Sequence, residues 1–135
     1  MSEENEYSFA GKSILIAEDN LDNQDLMRDV LEMFRYKLDV ANDGAEAVEK
    51  WKKNRYDLII MDIQMPNMDG FQAAREIRKL ENGRNRIPIL ALTASVLTND
   101  IQECFKAGMD DYVSKPINLD DLEKKIYGLL LKVVA

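Results

Sequence analysis

The chain has 135 residues, enough for one domain with a hydrophobic core of its own. Its 25 acidic and 18 basic residues give a net charge of −7, which argues against direct binding of nucleic acid, and no apolar run is long enough to span a bilayer. Histidine is absent, which excludes Ser-His-Asp and Cys-His catalysis, histidine–metal centres and a phosphohistidine carrier; any chemistry rests on carboxylates, hydroxyls and lysine.

Met1 to Tyr7 is polar and acidic and lacks the basic start and apolar middle of a leader peptide. Residues 1–10 read as an acidic flexible tail and 11–135 as the folded domain. The first strand is Ile14–Ala17. The helix after it has Met27, Val30, Leu31 and Phe34 on one face and Asn20 or Asp22 as its cap. A weaker, outer strand follows at Leu38–Ala41, then a helix over Asp43–Asn54 with Ala47, Val48 and Trp51 facing inward. Leu58–Met61 is the third strand, and Asp69-Gly70 starts a third helix marked by Phe71, Ala74, Ile77 and Arg78. The basic residues between Arg75 and Arg86 are interrupted by Glu76, Glu81 and Asn82 and read as a solvated helix end and loop.

Ile89–Leu92 is the fourth strand, and Asn99–Ala107 is a helix stopped by Gly108. Cys104 is the single cysteine, so no internal disulfide forms; this suits a reducing, cytoplasmic setting in which the thiol packs as a small, partly buried apolar group. Asp111–Ser114 is a second outer strand. The last helix runs from about Asn118, with Leu119, Leu122, Ile126, Leu129, Leu130 and Val133 on one stripe. Continuous apolar strands alternating with helices predict an α/β fold: an open, doubly wound parallel sheet with helices on both faces.

In such sheets sites form beyond the carboxyl ends of the strands. Glu18 and Asp19 follow the first strand, Asp62 the third, Thr93 the fourth and Lys115 the fifth. Any one of these is an ordinary loop residue or helix cap. Together they stand at one rim. Two of the carboxylates 4 Å apart repel by roughly 4 kcal/mol at an effective dielectric of 20. Lys115 supplies one positive charge and a divalent ion two, which neutralises the three acids. Oxygen ligands without histidine or cysteine favour Mg²⁺, with Mn²⁺ as the substitute. This constellation suits phosphoryl transfer to a carboxylate. The expected roles are Asp62 as nucleophile, Asp19 and Glu18 as metal ligands, Lys115 as phosphate counter-ion and Thr93 as hydroxyl donor, with the backbone carbonyl of Gln64 completing the metal shell.

Ile14-Leu15-Ile16-Ala17-Glu18-Asp19-Asn20, the loop from Met61-Asp62 to Asp69-Gly70, Leu92-Thr93-Ala94 and Ser114-Lys115-Pro116 stand in one order, and with them the chain resembles the receiver domain of two-component response regulators over about Lys12 to Val134. The resemblance implies a flavodoxin-like, CheY-like fold with strand order 2-1-3-4-5 and five helices. It implies phosphorylation at Asp62, a cis bond at Lys115-Pro116, Thr93 and Tyr112 as a switch pair, and a responsive surface on the fourth helix, fifth strand and fifth helix. It also implies that Gln64 and Ser95 flank the path of attacking water and tune dephosphorylation. Glu18, where the family often has aspartate, and the Gln64-Met65-Pro66 loop are similar to receivers of hybrid histidine kinases. The implied donor is a histidine kinase or a histidine phosphotransfer protein docking near Leu21, Gln24 and Met27, with a separate downstream protein target. The receiver is expected to be a monomer or weak dimer, not a turnover enzyme for an external substrate. A phosphohydrolase of the haloacid dehalogenase type needs an acid where Gln64 stands, and a nucleotide site needs a glycine-rich phosphate loop that is absent. A pure interaction module that is never phosphorylated is the remaining alternative.

Overall fold

The computed structural model describes residues 9–134, apart from the side chain of Val134. Five strands, β1 (Ser13–Ala17), β2 (Lys37–Ala41), β3 (Leu58–Asp62), β4 (Ile89–Thr93) and β5 (Asp111–Ser114), alternate with helices α1 (Leu21–Met33), α2 (Gly44–Lys53), α3 (Gly70–Glu81), α4 (Thr98–Lys106) and α5 (Leu119–Val134). The sheet is parallel with order β2-β1-β3-β4-β5, as the resemblance implies. β3 and β4 are buried throughout and β1 from Ile14 onward, while β2 and β5 form the edges.

Alternation along each strand divides the core in two. Leu15, Ile59, Met61, Ile89 and Ala91 face α2, α3 and α4. Ile14, Ile16, Ile60, Leu90 and Leu92 face α1 and α5. Phe9 joins this second cluster and meets the Tyr127 ring in a tilted contact, 5.4 Å between centroids, so its end of the expected tail is packed against the domain; residues 1–8 lie outside the described residues.

Helix boundaries follow their caps. Asn20 rather than Asp22 caps α1, its side chain accepting from the Asn23 N–H. Asp43 caps α2, and Asp69 with Gln72 forms a reciprocal capping box on α3. α4 begins at Thr98, one residue before the expected start, and its N-cap Leu97 contributes no side-chain hydrogen bond. Phe34 lies just beyond α1, and Val133 is 60% exposed because the buried stripe of α5 ends at Leu130. Cys104 is fully rather than partly buried, and burial raises its thiol pKa.

The basic segment from Arg75 to Arg86 is not simply solvated. Arg78, 14% exposed, donates to Glu81 and Asp110 at 2.9 Å each and to the Gly108 carbonyl at 2.8 Å. Glu81 also accepts from the Ile87 N–H, and Asp110 from the Ile89 N–H and from Arg86. This clasp joins the end of α3 to the starts of β4 and β5. Sequence spacing conceals it because the Arg78–Asp110 pairing spans 32 residues.

Replacing Arg78 leaves the nearly buried Glu81 carboxylate without its counter-ion. Arg78→Ala is expected to lower stability by about 3 kcal/mol, measured as the urea unfolding midpoint at constant slope; an unchanged midpoint contradicts the role of the clasp.

Candidate functional site

The carboxyl ends of β1, β3, β4 and β5 bring the expected polar residues to one rim. Glu18 is fully buried, Asp62 is 2% exposed and Asp19 lies at the exposed edge. These three acids each place an oxygen within 4.8 Å of the others. Lys115 reaches across from the end of β5, its Nζ 2.7 Å from Asp62 Oδ2 and 3.6 Å from Glu18 Oε1. The Lys115-Pro116 bond is cis.

The backbone after Asp62 is packed closely enough to fix this carboxylate. A Cβ on Gly70 would lie 2.3 Å from the Asp62 carbonyl oxygen, and one on Gly44 would lie 2.3 Å from that of Met68. Only glycine lets α3 start directly against β3 and lets α2 start against the intervening loop. The Gln64 N–H turns back to Asp62 Oδ1 at 3.3 Å.

A cavity of about 180 Å³ opens beside Asp62 and is lined by Gln64, Phe71, Thr93, Ser95, Asp100 and Lys115, among others. Gln64 and Ser95 thus share one cavity with the Asp62 carboxylate. The Thr93 hydroxyl, however, donates to the Ser95 carbonyl at 2.8 Å, and the Ser95 hydroxyl donates to Asp100 at 2.6 Å. Tyr112 is half-buried on β5, with Lys125 Nζ 5.0 Å above its ring.

Sequence reasoning missed Asn23 and Asp100. Asn23 donates to Glu18 Oε1 at 2.7 Å from the first turn of α1. Both residues sit in a helix's first turn, where a polar side chain ordinarily signals no more than capping. Of the residues considered for docking, Gln24 is internal instead, and Met27, which also reads as core from its place on the apolar face of α1, packs in the core. Met27 is fully buried, and Gln24 donates its amide to the Glu18 carbonyl and to Asn42. Leu21 is 68% exposed and remains available.

The pocket concentrates negative charge. Glu18 Oε2 is buried and has no hydrogen-bond partner among the described residues. Burial, then the neighbouring Asp62 carboxylate, raises the Glu18 pKa to about 8. Burial alone would lower that of Lys115, but its hydrogen bond and charge attraction to Asp62, with those to Glu18, raise it overall. Three carboxylates against one ammonium, an orphaned buried oxygen and an all-oxygen donor set fit a hard divalent cation.

The family model of the response regulator receiver domain matches residues 14–127. The chain belongs to the receiver domain family. It is a receiver of two-component phosphorelay signalling, similar to receivers in both hybrid kinases and response regulators. The receiver is 45% identical over 126 residues to the peroxide stress-activated histidine kinase mak1 of Schizosaccharomyces pombe, covering 90% of this chain and 8% of that protein. It is 38% identical to the response regulator mcs4 of the same organism, covering 84% of this chain and 27% of that protein. The receiver domain of the Saccharomyces cerevisiae response regulator Ssk1, solved with the histidine phosphotransfer protein Ypd1, superposes with a TM-score of 0.84 at 37% identity, over 90% of each chain. The receiver of the Pseudomonas aeruginosa sensor kinase PA1611, with magnesium coordinated in its active-site cleft, superposes with a TM-score of 0.81 at 42% identity, over 90% of this chain and 98% of that one. Among the described residues of this receiver, no helix is long and apolar enough to cross a membrane.

The raised pKa of Glu18 has a stability consequence in the metal-free protein. Its folded value of about 8 lies above its ordinary 4.5, so its stabilising contribution is full below pH 4.5 and is lost as pH rises through about 8. Glu18→Gln removes that loss and offers an N–H where Oε2 is orphaned. The variant is expected to melt higher than wild type at pH 8 without metal and to gain less from added Mg²⁺, in calorimetric scans with and without chelator. Equal melting temperatures at pH 8 would refute the electrostatic strain assigned to Glu18.

Proposed function

We propose that the receiver accepts a phosphoryl group on Asp62 from a partner's phosphohistidine, in a Mg²⁺-dependent reaction, and thereby changes the surface it offers to a downstream protein. The observation that carries this reading is the buried Asp62 carboxylate held 2.7 Å from Lys115 beside an open cavity. In the transfer, an Asp62 oxygen bonds to phosphorus as the P–N bond breaks, and the released imidazole takes a proton. Bound Mg²⁺, or Mn²⁺ in its place, would supply positive charge to the transferred oxygens, held by Glu18, Asp19, Asp62 and the Gln64 carbonyl. Lys115 orients Asp62 and neutralises the charge brought by the phosphoryl group. The Thr93 hydroxyl donates a hydrogen bond to a phosphoryl oxygen after leaving the Ser95 carbonyl. Tyr112, on the neighbouring strand, completes the switch pair.

The donor is a histidine kinase or a histidine phosphotransfer protein, a reading supported by the Ssk1 receiver solved with Ypd1. Exposed Leu21 at the start of α1 lies next to the acidic rim and offers the donor an apolar contact. Water returning the acyl phosphate to carboxylate passes Gln64 and Ser95, which line the cavity and tune that rate. The receiver assists its own modification and turns over no external substrate.

Incubation with Mg²⁺ and a small phosphodonor, followed by intact-mass measurement, is expected to add one phosphoryl group to wild type and none to Asp62→Asn or to metal-chelated protein. Modification of Asp62→Asn to the wild-type extent would sink the assignment. Lys115→Ala is expected to fold and still accept phosphate but to lose the conformational response of α4 and β5, followed by amide hydrogen exchange. Gln64→Glu is expected to alter the decay rate of the phosphorylated form at unchanged thermal stability; identical decay in both proteins would exclude Gln64 from the water path.

A further inference from the structure

Asp100 has no role in the reaction as described, yet its carboxylate lines the cavity beside Asp62 and anchors the loop that holds Thr93. The connections run in one chain. The Thr93 hydroxyl donates to the Ser95 carbonyl at 2.8 Å and accepts from the Ser95 N–H at 3.1 Å. The Ser95 hydroxyl donates to Asp100 Oδ2 at 2.6 Å and accepts from the Leu97 N–H at 3.3 Å. Asp100 stands in the first turn of α4, where the N-cap Leu97 supplies no side-chain bond of its own.

A threonine hydroxyl has one proton to donate. While that proton is held by the Ser95 carbonyl, it is unavailable to a phosphoryl oxygen. Ser95 in turn is pinned from outside the loop by a charge-assisted hydrogen bond, which is stronger than a neutral one. Asp100 also brings a negative charge to the cavity that a phosphoryl group, itself negative, must enter. Pinning and repulsion act in the same direction.

We infer that Asp100 is a positioning residue that latches the β4–α4 loop in its unphosphorylated form through Ser95, opposing phosphoryl occupancy and tying the start of α4 to the Thr93 hydroxyl. This rests on Asp62 being the phosphoacceptor and adds a regulator of its occupancy. The latch is a two-state element: Thr93 engages either Ser95 or the phosphoryl group, and Asp100 biases that choice.

Beryllofluoride, a tetrahedral mimic of a phosphoryl group on a carboxylate, tests the latch by titration at fixed Mg²⁺. Asp100→Ala, which removes both the bond and the charge, is expected to bind it at least about fivefold tighter than wild type, a typical size for coupling between sites. Ser95→Ala removes the bond alone and Asp100→Asn the charge alone, so each gains less, and adding Ser95→Ala to Asp100→Ala gains nothing further. Amide hydrogen exchange over residues 98–106 of free Asp100→Ala is expected to approach that of beryllofluoride-loaded wild type, a change that a loss of packing elsewhere would not confine to α4. Wild-type binding with unchanged affinity in Asp100→Ala overturns the latch and leaves Asp62 as acceptor. No binding by wild type overturns both. If Asp100→Ala fails to fold, Ser95→Ala decides: affinity equal to wild type overturns the latch.

Discussion

The ion pair between Lys115 and Asp62 sets the terms for the rest of the site. Its atoms stand 2.7 Å apart on side chains that are 25% and 3% exposed. A buried carboxylate is tolerable only with compensation, and here one ammonium serves two buried acids. Compensation is therefore incomplete. The deficit shows in the unpartnered Glu18 oxygen and in the raised Glu18 pKa. A pocket left short of positive charge favours a divalent cation and resists collapse into a purely structural salt bridge.

The fold can hold that deficit because the surrounding framework is stiff. Strand residues on both sheet faces are buried, and α1, α2 and α3 are fixed by side-chain caps. Gly70 lets α3 begin in contact with the Asp62 carbonyl, so the Asp62 backbone has little room to shift. Gln24 and Asn23 brace Glu18 from α1, one through its carbonyl and the other through its carboxylate. Two residues of the first turn of α1 thus support the buried acid from behind.

The side toward β5 is organised differently. The Arg78 clasp secures the amino end of β5, and Lys115 secures its carboxyl end. Between them lies Tyr112, half-buried, on a strand with only Val113 fully buried. The adjoining β4–α4 loop is held by hydroxyl bonds through Thr93, Ser95 and Asp100 and not by apolar packing, with Val96 and Leu97 exposed. Fixed ends and a half-buried middle set this side apart from the fully buried centre of the sheet.

By itself the sequence determined the alternation of strands and helices, the parallel sheet, and the identity of the acids, hydroxyl and lysine at the strand ends. These were legible because β3, β4 and most of β1 are buried on both faces and so carry continuous apolar runs, and because a parallel sheet sends every strand's carboxyl end to one rim. The start of α3 at Asp69-Gly70 was readable because capping is a local interaction. Only the tertiary structure decided that Arg78 is paired with Asp110, that Gln24 faces inward, that Thr93 is bonded to Ser95 and that Asp100 faces the cavity beside Asp62. Helical periodicity places a side chain on a face but does not say which distant polar group meets it. A hydroxyl or carboxylate in a loop chooses among several nearby partners, and that choice is made by packing between segments far apart in the chain.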